Sequence, residues 1–149
     1  MNFQIFAVSE SKAPLERCRG NNQRNLLVIY EEEKREEVLE SFLATVFSAL
    51  KLELQRDILL LQLTPGEQLS FAALRRQRVI DYLISFGVPP QRLGIQVEYD
   101  HYRPFIIEST HFLFAGNLRQ IWEAHQQGDK HRSAVLWKSM QLLFPALPQ

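Results

Sequence analysis

The order of apolar segments constrains the fold of this chain more than any other feature of its sequence. Leu26–Tyr30 is a continuous apolar run of strand length, and a strongly periodic helical pattern follows it. Ile58–Leu63 precedes another helical pattern, and a third run, Tyr82–Phe86, ends at Gly87. His111–Ala115 is again followed by helical patterns. Buried strands that alternate with amphipathic helices are typical of α/β proteins. We therefore expect a three-layer α/β/α domain with a mainly parallel central sheet.

Length and composition limit the broad class of the protein. A chain of 149 residues suits one globular domain. Its 17 Lys and Arg residues balance 17 Asp and Glu residues, so there is no overall field for a polyanion and direct nucleic-acid binding is disfavoured. The single cysteine, Cys18, fits a reducing compartment. No signal-peptide pattern and no apolar run of about 20 residues is present, so we expect a cytoplasmic protein outside the membrane.

The N-terminal 25 residues differ from the rest, so we divide the chain into an arm, Met1–Asn25, and one α/β domain over residues 26–149. Phe3, Ile5 and Phe6 are the candidate apolar anchors of the arm, and a polar stretch follows them. One interpretation is an edge strand or a loosely packed terminus. The other is a peptide that becomes ordered on a protein partner.

The helix after the first strand carries two patterns. Glu31–Glu33 place negative charge where we expect the first turn of this helix, and the helix dipole favours negative charge there. We interpret this acidic run as a solvated helix end rather than as a metal or partner site. A wide apolar stripe follows, which we expect to pack on the sheet, with a partner helix as the alternative occupant. Its members recur at helical spacing: Val38, Leu39, Phe42, Leu43, Val46, Phe47 and Leu50.

The next helix has two possible starts and a basic end. Thr64 begins a sequence that resembles a capping box, and Ser70 offers a second N-cap. Arg75, Arg76 and Arg78 form the only dense basic cluster. They complement the carboxyl end of a helix dipole, and they are also candidates for contact with phosphate or an acidic partner.

The ends of the strands are where a sheet of this type usually holds ligands. Asn117 is expected to cap the helix after His111–Ala115, and Phe105–Ile107 is expected to form a hairpin with that strand. The candidate cleft residues are Glu31, Thr64, Gly87, His101, Arg103 and Asn117.

Motifs for common chemistries are missing from these positions. Neither a phosphate-binding loop nor a dinucleotide-binding glycine motif follows the strands, and no pair of histidines has metal-ligand spacing on a helix. Asp100 and His101 beside Arg103 are the best catalytic-looking cluster, but surface polarity in a loop explains them more simply. We expect no catalytic residue, no metal and no cofactor.

Several short segments together resemble a known family. They are Leu26–Tyr30, Leu83–Gly87, Tyr102–Pro104, His111–Asn117, Ala134–Trp137 and Phe144-Pro145. In this combination the chain resembles the psi subunit of the bacterial DNA polymerase III holoenzyme, whose body has a uracil-DNA-glycosylase-like fold. Glycosylases of that fold carry a Gly-rich acidic motif after the first strand and a His-Pro-Ser-like motif after the last. Here Glu31–Lys34 and Ala115–Asn117 stand in those places.

The resemblance therefore implies the fold without its catalytic residues. It implies a non-catalytic adaptor in DNA replication, with the arm binding the clamp loader and the body binding a chi-like subunit. The alternative is a small enzyme or a nucleotide- or nucleic-acid-binding protein that uses the cleft at the strand ends. A homodimer that exchanges its arms is a third possibility.

Overall fold

The computed structural model describes residues 3–5 and 14–144 of the chain. In chain order, its elements are β1 (Phe3–Ile5), α1 (Pro14–Arg17), β2 (Leu26–Glu31), α2 (Glu37–Ser48), α3 (Leu54–Asp57), β3 (Ile58–Leu63), α4 (Phe71–Gln77), β4 (Tyr82–Phe86), a 3-10 turn (Pro90–Leu93), β5 (Ile95–Val97), β6 (Phe105–Ile107), β7 (Thr110–Ala115), α5 (Leu118–Gln126) and α6 (His131–Leu143). Phe6, one of the candidate anchors of the arm, lies outside the described residues.

A five-stranded sheet organises the domain. Its strand order is β3-β2-β4-β7-β6. β2 pairs in parallel with β3 and β4, and β4 pairs in parallel with β7. β6 is antiparallel to β7. The prediction of an α/β protein with a mainly parallel sheet is confirmed.

Both faces of the sheet are covered, and β2 shows why its sequence is uniformly apolar. Leu26, Val28 and Tyr30 belong to the core beneath α2, α5 and α6. Leu27 and Ile29 belong to the core on the other face, with side chains from α4, the 3-10 turn and β5. Successive residues of a strand point to opposite faces, so a strand with two covered faces needs apolar residues throughout.

The connections between strands create a crevice at the carboxyl ends of the strands. β3 and β4 lie on opposite sides of β2. α2 connects β2 to β3 over one face, and α4 connects β3 back to β4 over the other, as right-handed crossovers require. Where the winding direction reverses, the carboxyl ends of neighbouring strands separate and leave room for a ligand. In this chain that point lies between β2 and β4.

The start of α2 differs from the prediction. Glu31 is the last residue of β2, and the helix begins at Glu37, so Glu31–Glu33 do not form its first turn. Parallel pairing of Glu31 with Leu63 continues the strand past Tyr30. The expectation of a solvated acidic helix end is therefore wrong for Glu31, which hydrogen bonds and strand pairing hold in the sheet.

The helix after β3 begins at the second of its two possible starts. Ser70 is the N-cap of α4, and its side-chain oxygen accepts a hydrogen bond of 3.2 Å from the backbone N–H of Ala73. Thr64 instead begins a turn, in which its carbonyl accepts from the N–H of Glu67 at 3.0 Å. Arg75 and Arg76 lie in the last turn of α4, as expected.

The predicted hairpin is confirmed. Phe105 pairs with Phe112, and Ile107 pairs with Thr110, so β7 begins one residue earlier than predicted. Glu108 and Ser109 form the connection with φ values of 48° and 74°. Two consecutive residues with positive φ make the tight hairpin turn whose twist matches that of the strands.

Part of the segment predicted as an arm is built into the domain. Arg19 exchanges two backbone hydrogen bonds with Leu60 of β3, at 2.9 and 2.7 Å. Asn21, Gln23 and Arg24 then donate backbone hydrogen bonds to the carbonyls of the α3 segment. The chain from Arg19 onwards thus runs along the outer edge of β3. At the other end of the arm, β1 pairs antiparallel with β5.

Candidate functional site

A wide cleft lies at the carboxyl ends of the parallel strands. Its volume is about 800 Å³, which is within the usual range for small-molecule sites. Four of the six candidate residues line it: Glu31, Gly87, His101 and Asn117. Thr64 and Arg103 do not. The topology of the sheet thus brings together residues that are up to 86 positions apart in sequence.

One guanidinium group holds the ends of two strands together below this cleft. Arg92 forms a part-buried ion pair with Glu31 at the end of β2. The same side chain donates to the carbonyl of Thr64 after β3 and to that of Glu67, both at 3.0 Å. Glu31 and Thr64 are therefore positioned by Arg92, and the Glu31 carboxylate is neutralised where it borders the cleft.

Two glycines allow the strand ends to approach each other closely. Gly87 has a φ of 80°, and a Cβ atom there would lie 3.2 Å from the Cα of Asn117. A Cβ atom on Gly116 would lie 3.1 Å from the hydroxyl oxygen of Tyr102, which accepts a hydrogen bond from the Gly116 N–H. Side chains at these positions would obstruct the cleft floor.

Asn117 is the N-cap of α5, as predicted. Its Oδ1 accepts a hydrogen bond of 3.1 Å from the N–H of Gln120. Its amide nitrogen makes no hydrogen bond to any residue in the described ranges. Because the cap holds the amide group in place, the Nδ2 donor remains at the floor of the cleft.

An aromatic wall forms one side of the cleft. The rings of Tyr99 and Phe114 are 5.3 Å apart, and those of Tyr99 and His101 are 5.7 Å apart. The ring of Tyr102 also belongs to this wall and lies 6.2 Å from the ring of His101. Tyr99, His101 and Tyr102 come from the loop before β6 and expose ring surface to the cleft, whereas Phe114 of β7 is buried and packs against Tyr99.

Two side chains at the start of α6, an imidazole and a guanidinium, lie at the rim of the cleft, and the sequence analysis did not identify them. His131 and Arg132 both line the cleft and are exposed. Neither forms an ion pair with any described residue. Only the position of Gly128-Asp129 before a helical pattern could have pointed to this turn, because the side chains reach the cleft through tertiary packing.

The remaining candidate residues lie apart from the cleft. Arg103 has a side chain that is 80% exposed and forms only a 3.5 Å ion pair with Asp100. Arg75 pairs with Glu108 at 2.7 Å and lies over the ring of Phe71. Arg76 and Arg78 are exposed and have no ion-pair partner among the described residues. The basic cluster is thus only partly available for an external partner.

A second concave surface, which we call the α2–α5 groove, lies on the outer side of the helical layer. Its apolar members are Val38, Phe42 and Val46 of α2 and Trp122 of α5. Its volume is about 540 Å³. Val38 is 48% exposed, whereas Leu39 in the adjoining row is fully buried. The stripe that we expected to pack on the sheet therefore divides into a fully buried row and an outer row that is only partly covered, with Phe42 and Val46 half-buried.

A buried carboxylate that the sequence analysis missed connects α2 to β2 and to the N-terminal segment. Glu40 is 7% exposed and accepts hydrogen bonds from Arg19 at 2.8 and 2.5 Å, from Tyr30 at 2.5 Å and from Arg35 at 3.2 Å. Burial alone would raise the pKa of Glu40, but the hydrogen bonds from Arg19 and Tyr30 outweigh it and lower this pKa. Burial raises the pKa of Tyr30.

The described residues contain no group of three or more His, Cys, Asp or Glu side chains placed to hold a metal ion. None of the helices in this part of the chain is both long and apolar enough to cross a membrane. No protein-family model matches the chain, and a search of curated proteins found no significant match.

Proposed function

We propose that this chain is a non-catalytic protein-interaction subunit, a psi-like adaptor of the clamp-loader assembly of a bacterial DNA polymerase III. The observation that carries this proposal is the α2–α5 groove, a concave surface on two adjacent helices whose apolar side chains the domain covers only in part. A uracil-DNA-glycosylase-like fold without catalytic motifs and a cytoplasmic location belong to the same proposal.

The groove supports binding of a protein partner for an energetic reason. Val38 is 48% exposed, and Phe42, Val46 and Trp122 pack against the core while keeping part of their apolar surface in the groove. A contiguous apolar surface of this kind typically marks a protein contact, and an apolar helix face fits such a groove well. We assign this surface to the chi-like subunit.

The N-terminal residues are proposed to bind the clamp loader, with Phe3, Ile5 and Phe6 as anchors. The backbone of Phe3–Ile5 pairs with β5. A clamp-loader contact through these residues must therefore either extend the β1–β5 pair or replace it.

The test is a titration of the purified protein with the chi subunit and, separately, with the clamp loader of the same bacterium. Val38→Asp and Trp122→Ala should weaken chi binding at least tenfold, which corresponds to about 1.4 kcal/mol. Val79→Asp is the matched control, because Val79 is 64% exposed and lies outside the groove. Unchanged chi affinity in both groove variants would refute the assignment of the groove.

The clamp-loader contact needs a different truncation. Removing residues 1–25 would delete Arg17 and Arg19, which pair with Glu67 and Glu40 in the body at 2.5 Å. Removing residues 1–13 retains these ion pairs while deleting all three anchors. Loss of clamp-loader binding with chi binding preserved would support the proposal, and equal binding of the full chain and the truncated chain would contradict it.

The cleft favours the second class of function, a small enzyme or a nucleotide-binding protein. Its place at the strand ends and its volume are those of a ligand site in an α/β protein. A bound protein partner and a bound small molecule are compatible, because the groove and the cleft have different linings.

A further inference from the structure

We propose that the cleft binds a small planar aromatic molecule that carries a phosphate or a carboxylate. This inference is independent of the proposed protein partners. It rests on an aromatic wall and an unpaired guanidinium group, that of Arg132, which line one cavity of about 800 Å³.

The wall supplies the site for the ring. Tyr99, His101 and Tyr102 give the cleft exposed ring faces and edges, and the buried ring of Phe114 supports Tyr99 from behind. Aromatic rings attract other rings in offset or edge-to-face arrangements and gain more than their buried area alone provides. A planar ligand ring is therefore favoured over an aliphatic group of equal size.

The rim supplies the charge. The two helices that begin at the cleft have their first turns capped from within the protein, α5 by Asn117 and α6 by the Asp129 carboxylate, which accepts from the His131 N–H at 3.0 Å. We therefore assign the charge at the rim to a side chain. The Arg132 guanidinium is exposed at the cleft and forms no ion pair or hydrogen bond with the described residues. A guanidinium group binds phosphate and carboxylate groups alike through paired N–H donors.

The carboxylate in the cleft lining repels a bound anion only weakly. Glu31 is the carboxylate in the lining, and its ion pair with Arg92 neutralises it. The Nδ2 donor of Asn117 at the floor adds a neutral hydrogen bond for a polar substituent on the ring. The aromatic wall thus holds the ring of the ligand, Arg132 holds its anionic group, and Asn117 binds a polar substituent on the ring.

Calorimetric titration of the full chain with four compounds tests this inference. AMP and indole-3-acetate carry both features, inorganic phosphate carries only the charge, and adenosine carries only the ring. We expect at least one aromatic anion to bind ten or more times more tightly than both single-feature compounds. Tighter binding of AMP would identify the phosphate as the preferred anion, and tighter binding of indole-3-acetate would identify the carboxylate.

Two variants locate the site. Arg132→Ala should reduce the affinity for the aromatic anion at least tenfold, and Tyr99→Leu should reduce it while leaving the weak binding of phosphate unchanged. Arg103→Ala is the matched control, an exposed arginine outside the cleft. His131→Ala serves as a second rim variant if Arg132→Ala does not fold. Absence of binding at millimolar concentration, equal affinity for phosphate alone, or unchanged affinity in the rim variant would overturn the proposal.

Discussion

Replacing Glu40 with Gln should destabilise the domain, although the substitution preserves the shape of the side chain. The carboxylate is buried and accepts from Arg19, Arg35 and Tyr30, so it connects three segments of the chain. Glutamine keeps the size of the side chain but loses the charge, and it replaces one acceptor oxygen with a donor that faces other donors.

The magnitude follows from how far the partners are buried. Breaking a fully buried ion pair from one side costs roughly 3–5 kcal/mol. Here the side chains of Arg19 and Arg35 are 34% and 60% exposed, so water can solvate part of their charge. The hydroxyl of Tyr30, a fully buried residue, loses its charged acceptor, which costs about 1–3 kcal/mol. We expect a total loss of about 2–3 kcal/mol, equivalent to a fall in Tm of about 4–12 °C for a chain of this size.

Thermal unfolding followed by circular dichroism measures this loss, with Glu37→Gln as the matched control. Glu37 lies in the same helix, is exposed and has no ion-pair partner among the described residues. A fall in Tm of less than about 2 °C for Glu40→Gln would refute the reasoning. A double-mutant cycle with Tyr30→Phe should give a coupling energy of roughly 0.5–3 kcal/mol, as expected for groups in direct contact.

The same contacts predict the pH dependence of this contribution. The pKa of Glu40 is lower in the folded protein than in an unfolded chain, so its stabilisation is fully present above the ordinary glutamate pKa of about 4.3. It is lost as the pH falls through the lower, folded value. The Tm difference between wild type and Glu40→Gln should therefore shrink in acid.

Three further predictions concern the cleft and the N-terminal segment. Asn117→Ala should lower stability by about 1 kcal/mol through loss of the α5 cap, and Asn117→Asp should retain most of it, measured by urea unfolding. Gly87→Ala should cost roughly 1–2 kcal/mol because its φ of 80° strains an L-residue, and an unchanged urea midpoint would contradict this. Burial raises the pKa of Cys18 to about 11, so its alkylation by iodoacetamide at pH 8 should be about a hundred times slower than that of free cysteine, and a comparable rate would show that the thiol is accessible and ionised.

Local signals made much of the sheet predictable. Leu26–Tyr30 is apolar throughout, and Ile58–Leu63 is apolar except at Gln62, because both faces of their strands are covered, and that pattern is visible in the sequence alone. The cap at Asn117 and the turn at Glu108-Ser109 depend on residues three or fewer positions apart. Because the carboxyl ends of parallel strands share one edge, the approximate place of the cleft followed from these elements.

The contacts that shape the cleft could not be predicted, because they join residues far apart in sequence. Arg92 and Glu31 are 61 positions apart, and Arg119 and Glu32, which pair at 3.0 Å, are 87 positions apart. Each of these charged residues in isolation resembles an ordinary surface residue. The acidic run after Tyr30 was therefore interpreted as a solvated helix end, although two of its members are paired with distant arginines.

The division of the α2 stripe has a similar cause and bears directly on function. The helical period shows that Val38 and Leu39 both belong to an apolar face, but it does not show how much of that face the sheet covers. The sheet covers the row of Leu39, Leu43 and Phe47. The outer row faces α5, which contributes Trp122 but leaves Val38 half exposed. An apolar stripe wider than the surface it packs against leaves part of its outer row in water, and the proposed contact with a protein partner rests on that part.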